Sequence, residues 1–116
     1  MPSERNAREI VLSCIAALNR EDYKTARQYL SDDVWFSDVL GTHRGADAYL
    51  LDAKRMRVHY EIEKAFVEGD DVCLFCDLQA AGTSIFFCGW YQVKLGKIRS
   101  LQAVFDPRPL LQSKAA

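Results

Sequence analysis

Residues 85–93, Ile85-Phe86-Phe87-Cys88-Gly89-Trp90-Tyr91-Gln92-Val93, decide the fold of this chain. The run is rich in β-branched and aromatic residues and reads as a strand. Strand side chains alternate between faces, so Ile85, Phe87, Gly89, Tyr91 and Val93 form one row and Phe86, Cys88, Trp90 and Gln92 the other. A sheet covered by helices on one face only would carry polar residues on the second. Here both rows carry aromatics, and both faces therefore need a cover. A second copy of the chain is the simplest cover for the outer one, through Trp35, Phe75, Phe86 and Trp90, which makes a homodimer the expected assembly.

Strands continue on both sides of this run. Upstream, Val58, Tyr60 and Ile62 alternate with His59, Glu61 and Glu63, and Val72 to Gln79 forms a further strand beyond the hairpin signal Glu68-Gly69-Asp70-Asp71. Downstream, Leu95-Gly96-Lys97 turns into a last strand, Ile98 to Phe105, which Pro107 and Pro109 end.

The first half of the chain has helical spacing instead. Ala7, Ile10, Val11, Cys14, Ile15 and Leu18 mark a helix with Ser3 as its expected cap. Asp22 caps a short second helix through Leu30, and Ser31-Asp32-Asp33 breaks it. Val34 to Val39 is the first strand, Gly41 to Gly45 a loop, and Ala46 to Met56 a third helix. Helices first and strands after predict an α+β fold, with helices on one face of a mainly antiparallel sheet and a single domain over residues 1–116.

Composition narrows the function. Hydrophobic content of 49% and charged content of 27% suit a globular chain that builds its core without metal or disulfides. A net charge of -1 leaves no footprint for nucleic acid or an anionic membrane. No apolar run approaches the roughly 20 residues needed to span a bilayer. Residues Met1 to Asn6 lack an apolar signal core, so the expected location is the cytoplasm. Cys73 and Cys76 have metal-ligand spacing but face opposite sides of a strand, and all four cysteines read as buried reduced thiols. There is no phosphate loop, dinucleotide fingerprint or nucleophile elbow, and the two histidines lack ligand spacing, so neither a cofactor nor a metal is expected.

Asp38 stands out against this background. It shares a strand face with Val34 and Phe36, and a carboxylate on an apolar face is costly unless it is paired, neutralised or used. A strand-end aspartate turned back into solvent is the plainer alternative.

Five segments carry a family resemblance: Ile15 to Tyr23, Ser31-Asp32-Asp33-Val34, Gly45-Ala46, Gly96-Lys97-Ile98 and Phe105-Asp106-Pro107-Arg108-Pro109. With the element order they resemble the nuclear transport factor 2-like superfold, in its SnoaL-like and ketosteroid-isomerase-like branches. The resemblance implies a cystatin-like cone, about three helices on a curved sheet, around an apolar pocket. It places Asp38 where ketosteroid isomerases keep a carboxylate base. It places Cys14 at their oxyanion-hole tyrosine and Gly89 at their protonated aspartate, so the base is matched and its electrophilic partners are not. The limonene-epoxide-hydrolase relatives use two carboxylates and an arginine, and no second carboxylate shares a face with Asp38. In polyketide-cyclase relatives an acid/base aspartate stands on the sheet, a part open to Asp38.

Two readings follow. In the first, a small, mostly apolar molecule enters the cone against Val34, Phe36, Leu78, Phe87, Leu101, Ala103 and Phe105, with Cys14 behind them. Asp38 then acts as general acid/base of an isomerase, cyclase or lyase. His43, on the Gly41–Gly45 loop, is the candidate proton shuttle, and Tyr91 the candidate hydrogen-bond donor. In the second, the chain is a non-catalytic ligand-binding or dimeric interaction module.

Overall fold

The computed structural model describes residues 6–115, the last four by backbone alone. Helix α1 (Ala7–Asn19) starts at Asn6, whose side chain accepts the Glu9 N–H at 2.8 Å. Ser3, the cap expected from sequence, lies outside the described residues. Helix α2 (Tyr23–Arg27) is capped by Asp22 as expected, but it stops three residues short of Leu30. Leu30 instead opens strand β1 (Leu30–Asp38).

The Ser31-Asp32-Asp33 segment therefore interrupts the register of a strand rather than a helix. Strand β6 (Lys97–Phe105) pairs with β1 in parallel, Leu30 with Ile98 and then Trp35 with Ser100. Three extra residues of β1 loop out between these pairs, and the polar ones face solvent.

The Gly41–Gly45 loop is a second correction. Gly41–Arg44 is strand β2, antiparallel to β1, with Phe36 opposite His43 and Asp38 opposite Gly41. All four of its residues are exposed, so no hydrophobic alternation marked it. Gly45 has φ 110°, a conformation that favours glycine, and its N–H donates to Val34 O at 2.6 Å. That bond fixes where helix α3 (Ala46–Met56) leaves the sheet.

Strands β3 (His59–Glu68), β4 (Asp71–Ala80) and β5 (Thr83–Lys94) complete a six-stranded sheet in the order β2-β1-β6-β5-β4-β3, antiparallel except at β1–β6. The expected row Ile85, Phe87, Gly89, Tyr91, Val93 faces the helices and is buried. A bulge between Ile62 and Lys64 shifts β3 by one residue and puts Phe66 on the outer face opposite Cys73. The chain does not end at the prolines. Helix α4 (Arg108–Ala115) carries Pro109 in its first turn, where a missing N–H is harmless, and buries Leu110.

Helix α1 holds the sheet by one specific clamp. The Asn19 side chain donates to Tyr60 O at 2.8 Å and accepts Tyr60 N–H at 2.7 Å. Tyr60 lies next to the β3 edge's free end, where no further strand satisfies its backbone. Replacing Asn19 with Ala leaves both groups without a partner, and we expect a loss of about 1–3 kcal/mol in urea unfolding. An unchanged midpoint would show that the clamp contributes nothing.

Candidate functional site

Curling of the sheet around α3 encloses a pocket of about 400 Å³. This lies within the range of small-molecule sites. Its sheet wall is Phe36 of β1, Leu78 of β4, Phe87 of β5, and Leu101, Ala103 and Phe105 of β6, all anticipated from strand alternation. Helix α3 supplies Tyr49, Ala53 and Met56, and Leu110 of α4 closes one side. The rings interlock: Phe36 meets Tyr49 edge-on at 5.1 Å, and Tyr60 meets Phe87 edge-on at 5.5 Å.

Asp38 lines this pocket, at the strand end rather than in its depth. Its Oδ1 accepts the Leu40 N–H at 2.7 Å, so one oxygen orders the β1–β2 turn. Asp52 and Arg55 of α3 line the pocket with it. The strand-parity argument found no second carboxylate beside Asp38, because Asp52 arrives from a helix and parity relates only strand residues.

His43 is not among the lining residues. It stands on the edge strand β2 directly opposite Phe36, with its ring stacked on that of Phe36, centroids 5.3 Å apart. Among the described residues no hydrogen bond joins His43 or Tyr91 to Asp38. Tyr91 is 1% exposed and its hydroxyl has no hydrogen-bond partner. It lies behind the pocket, because its ring and that of Phe87 lean over Gly89 from opposite sides. A Cβ at Gly89 would stand 2.8 Å from Phe87 Cε1 and 3.0 Å from Tyr91 Cε1. The space beside Gly89 is thus filled by two rings.

Cys14 and Val34, both expected on the wall, are in the core beneath it, each 1% exposed. The Cys14 thiol donates to Ala26 O at 3.8 Å, and Val34 is anchored through its carbonyl at the start of α3. Tyr60 is one of the lining residues the sequence reading missed. It appears as one member of a half-exposed alternation, and only the closure of β3 over α1 buries it.

Burial governs the ionisation of this interior. It pushes the Cys14 thiol up to about 12 and the Cys76 thiol up to about 11. It also raises Tyr49, Tyr60 and Tyr91, and the proximity of the three phenols to one another and to Cys14 adds to the effect for Tyr49 and Tyr91. Tyr49 and Tyr60 both line the pocket and bring buried phenols to its largely apolar wall. Among the described residues, no group of three or more His, Cys, Asp or Glu side chains is placed to hold a metal ion, and no helix is long and apolar enough to cross a membrane.

A family model described as a SnoaL-like domain matches residues 11–101. A search among curated proteins finds no match. Among solved structures, an NTF2-like protein of unknown function from Cytophaga hutchinsonii is 37% identical. That alignment covers 96% of this chain and 99% of that one, with a TM-score of 0.90. An LEH-like epoxide hydrolase from M. tuberculosis superposes with a TM-score of 0.77 at 24% identity, over 97% of this chain and 91% of that one. An NTF2-like protein from Burkholderia xenovorans gives 0.72 at 23% identity, over 92% and 94%. The latter two likenesses show the shared fold.

Two predictions follow from the interior. Replacing Tyr91 with Phe removes a buried hydroxyl that has no partner, so the variant should be more stable by about 1 kcal/mol or more in urea unfolding. A loss of stability would mean that the hydroxyl is satisfied in solution. The second concerns alkaline pH. Cys14 is neutral in the folded chain up to about 12, whereas an exposed thiol ionises near 9.0. Its contribution is complete below pH 9 and is lost as pH rises toward 12, at about 1.4 kcal/mol per pH unit. Cys14→Ala should therefore flatten the fall of unfolding free energy between pH 9 and 11, and an unaltered slope would contradict this.

Proposed function

For a chain that belongs to the SnoaL-like family, we propose a protein that binds a small, mostly apolar molecule in the cone and uses Asp38 as its general acid/base. One observation carries the reading: a pocket of about 400 Å³, walled by apolar side chains, with the Asp38 carboxylate on its lining. A ligand seated against Phe87 and Leu101 would share the pocket with the Asp38 carboxylate and with Tyr49 and Tyr60. A carbonyl compound with an acidic C–H fits that polarity. Its oxygen would accept from a phenol, and its C–H would meet a carboxylate able to take the proton. Isomerase, cyclase and lyase chemistry all contain this step.

The engagement of Asp38 Oδ1 by the Leu40 N–H supports the second reading, a pure ligand binder in which Asp38 shapes the mouth. One experiment separates the two. A panel of small cyclic ketones and lactones is screened by NMR shift perturbation and then followed for deuterium exchange at the acidic C–H in heavy water. We expect binding that Ala103→Trp abolishes by filling the pocket, and exchange that Asp38→Asn slows about 100-fold or more while binding persists. Binding without protein-dependent exchange would leave the binder. No binding across the panel would sink both readings for this ligand class.

The outer sheet face supports the expected homodimer as a further part of the proposal. Phe86 is 62% and Val104 66% exposed there, and Phe66 and Trp90 are exposed beside them. Phe66, Phe75 and Phe86 form a ladder with centroids 5.9 and 6.1 Å apart. Such a contiguous apolar surface is costly in water and suits an isologous contact. Light scattering should give twice the chain mass, and Phe86→Glu should halve it. A monomeric parent chain would refute the dimer.

A further inference from the structure

The cysteines divide into two kinds that the C-x-x-C spacing conceals. Cys14 and Cys76 are sealed in the core. Cys73 and Cys88, also expected to be buried, are only half-buried on the outer sheet face. They stand on adjacent antiparallel strands, Cys73 opposite Trp90 and Cys88 opposite Phe75, and so are diagonal neighbours. Their sulfurs are 3.7 Å apart and in hydrogen-bond contact. A shallow depression of about 290 Å³, lined by Phe66, Val67, Glu68, Asp71, Cys73 and Trp90, opens onto the Cys73 side of the pair.

We propose that Cys73 and Cys88 are a dithiol that hydroperoxides oxidise to a disulfide within the β4–β5 hairpin. The first step forms a sulfur–oxygen bond. The Cys88 sulfur, in contact with Cys73, attacks the peroxide, the O–O bond breaks, and the Cys88 thiol proton leaves with the alcohol or water. In the second step Cys73 attacks the Cys88 sulfenic acid, the S–S bond forms, the S–O bond breaks and water leaves. Two thiols and one hydroperoxide thus give one disulfide, one alcohol (water for hydrogen peroxide) and one water. The sulfurs must close from 3.7 Å to about 2.05 Å. Diagonal Cα atoms in a ladder lie about 7–8 Å apart, slightly beyond the usual disulfide span of about 4.4–6.8 Å. Closure therefore also draws the two strands together locally. Partial burial and the Cys88 sulfur beside it push the Cys73 thiol up, which keeps its proton available to the pair. Cys14 and Cys76 lie out of reach of an oxidant, so the product should be a single disulfide.

The test treats the full chain, diluted to its monomer by light scattering, with cumene hydroperoxide or hydrogen peroxide. Intact mass and peptide mapping should show the loss of two hydrogens, a Cys73–Cys88 link, two remaining free thiols of the original four, and reversal by dithiothreitol. Cys73→Ser should stop at a Cys88 sulfenic acid that dimedone traps, and Cys88→Ser should form no disulfide. An unmodified mass, a link between chains, or oxidation at Cys14 or Cys76 would each overturn the proposal.

Discussion

The parallel pairing of β1 with β6 is the constraint on which the rest of the structure depends. It joins the first strand of the chain to the last, across all the intervening elements. Phe36 is thereby set beside Leu101, and the wall of the pocket becomes continuous from β1 to β4. Parallel neighbours cannot be joined by a tight turn. The intervening chain therefore lays α3 against β1 and returns through β3, β4 and β5, which extend the same sheet from the other edge of β6. The three residues looped out of β1 reset its alternation, so that Val34 and Phe36 both point inward while the acidic segment stays in water.

The interior formed in this way is chemically quiet. Its thiols and phenols are held protonated by burial, and its aromatic rings pack edge to face. The acidic and basic side chains Asp38, Asp52 and Arg55 stand around the same cavity. An apolar molecule could therefore be desolvated in the depth of the cone while a polar end remains near charge, an arrangement that suits recognition and proton transfer alike.

The two faces of the sheet follow from one alternation but have different uses. Inward residues of β4 and β5 close the core around Gly89, where two rings occupy the space a side chain would take. Outward residues of the same strands form the aromatic ladder and bring Cys73 to Cys88. The bulge in β3 joins Phe66 to that ladder by adding one residue. A small change in one strand thus decides how large the outer apolar surface becomes.

The sequence by itself determined what is local. Period-two alternation set the facing of Phe36, Leu78, Phe87, Leu101, Ala103 and Phe105 within their own strands, helical spacing bounded α1 and α3, and the Gly69 turn placed the β3–β4 hairpin. Each of these is encoded within a few residues by side-chain direction or turn chemistry. Tertiary structure alone decided the rest. Strand β2 has no buried residue to announce it, and α4 begins beside prolines that read as a stop. Tyr60 enters the pocket because Asn19 holds its backbone, Asp52 and Arg55 meet Asp38 from a different element, and Cys73 finds Cys88 rather than Cys76. These placements depend on register and on which elements cross. Both are set by contacts between residues far apart in the chain, and no local pattern records them.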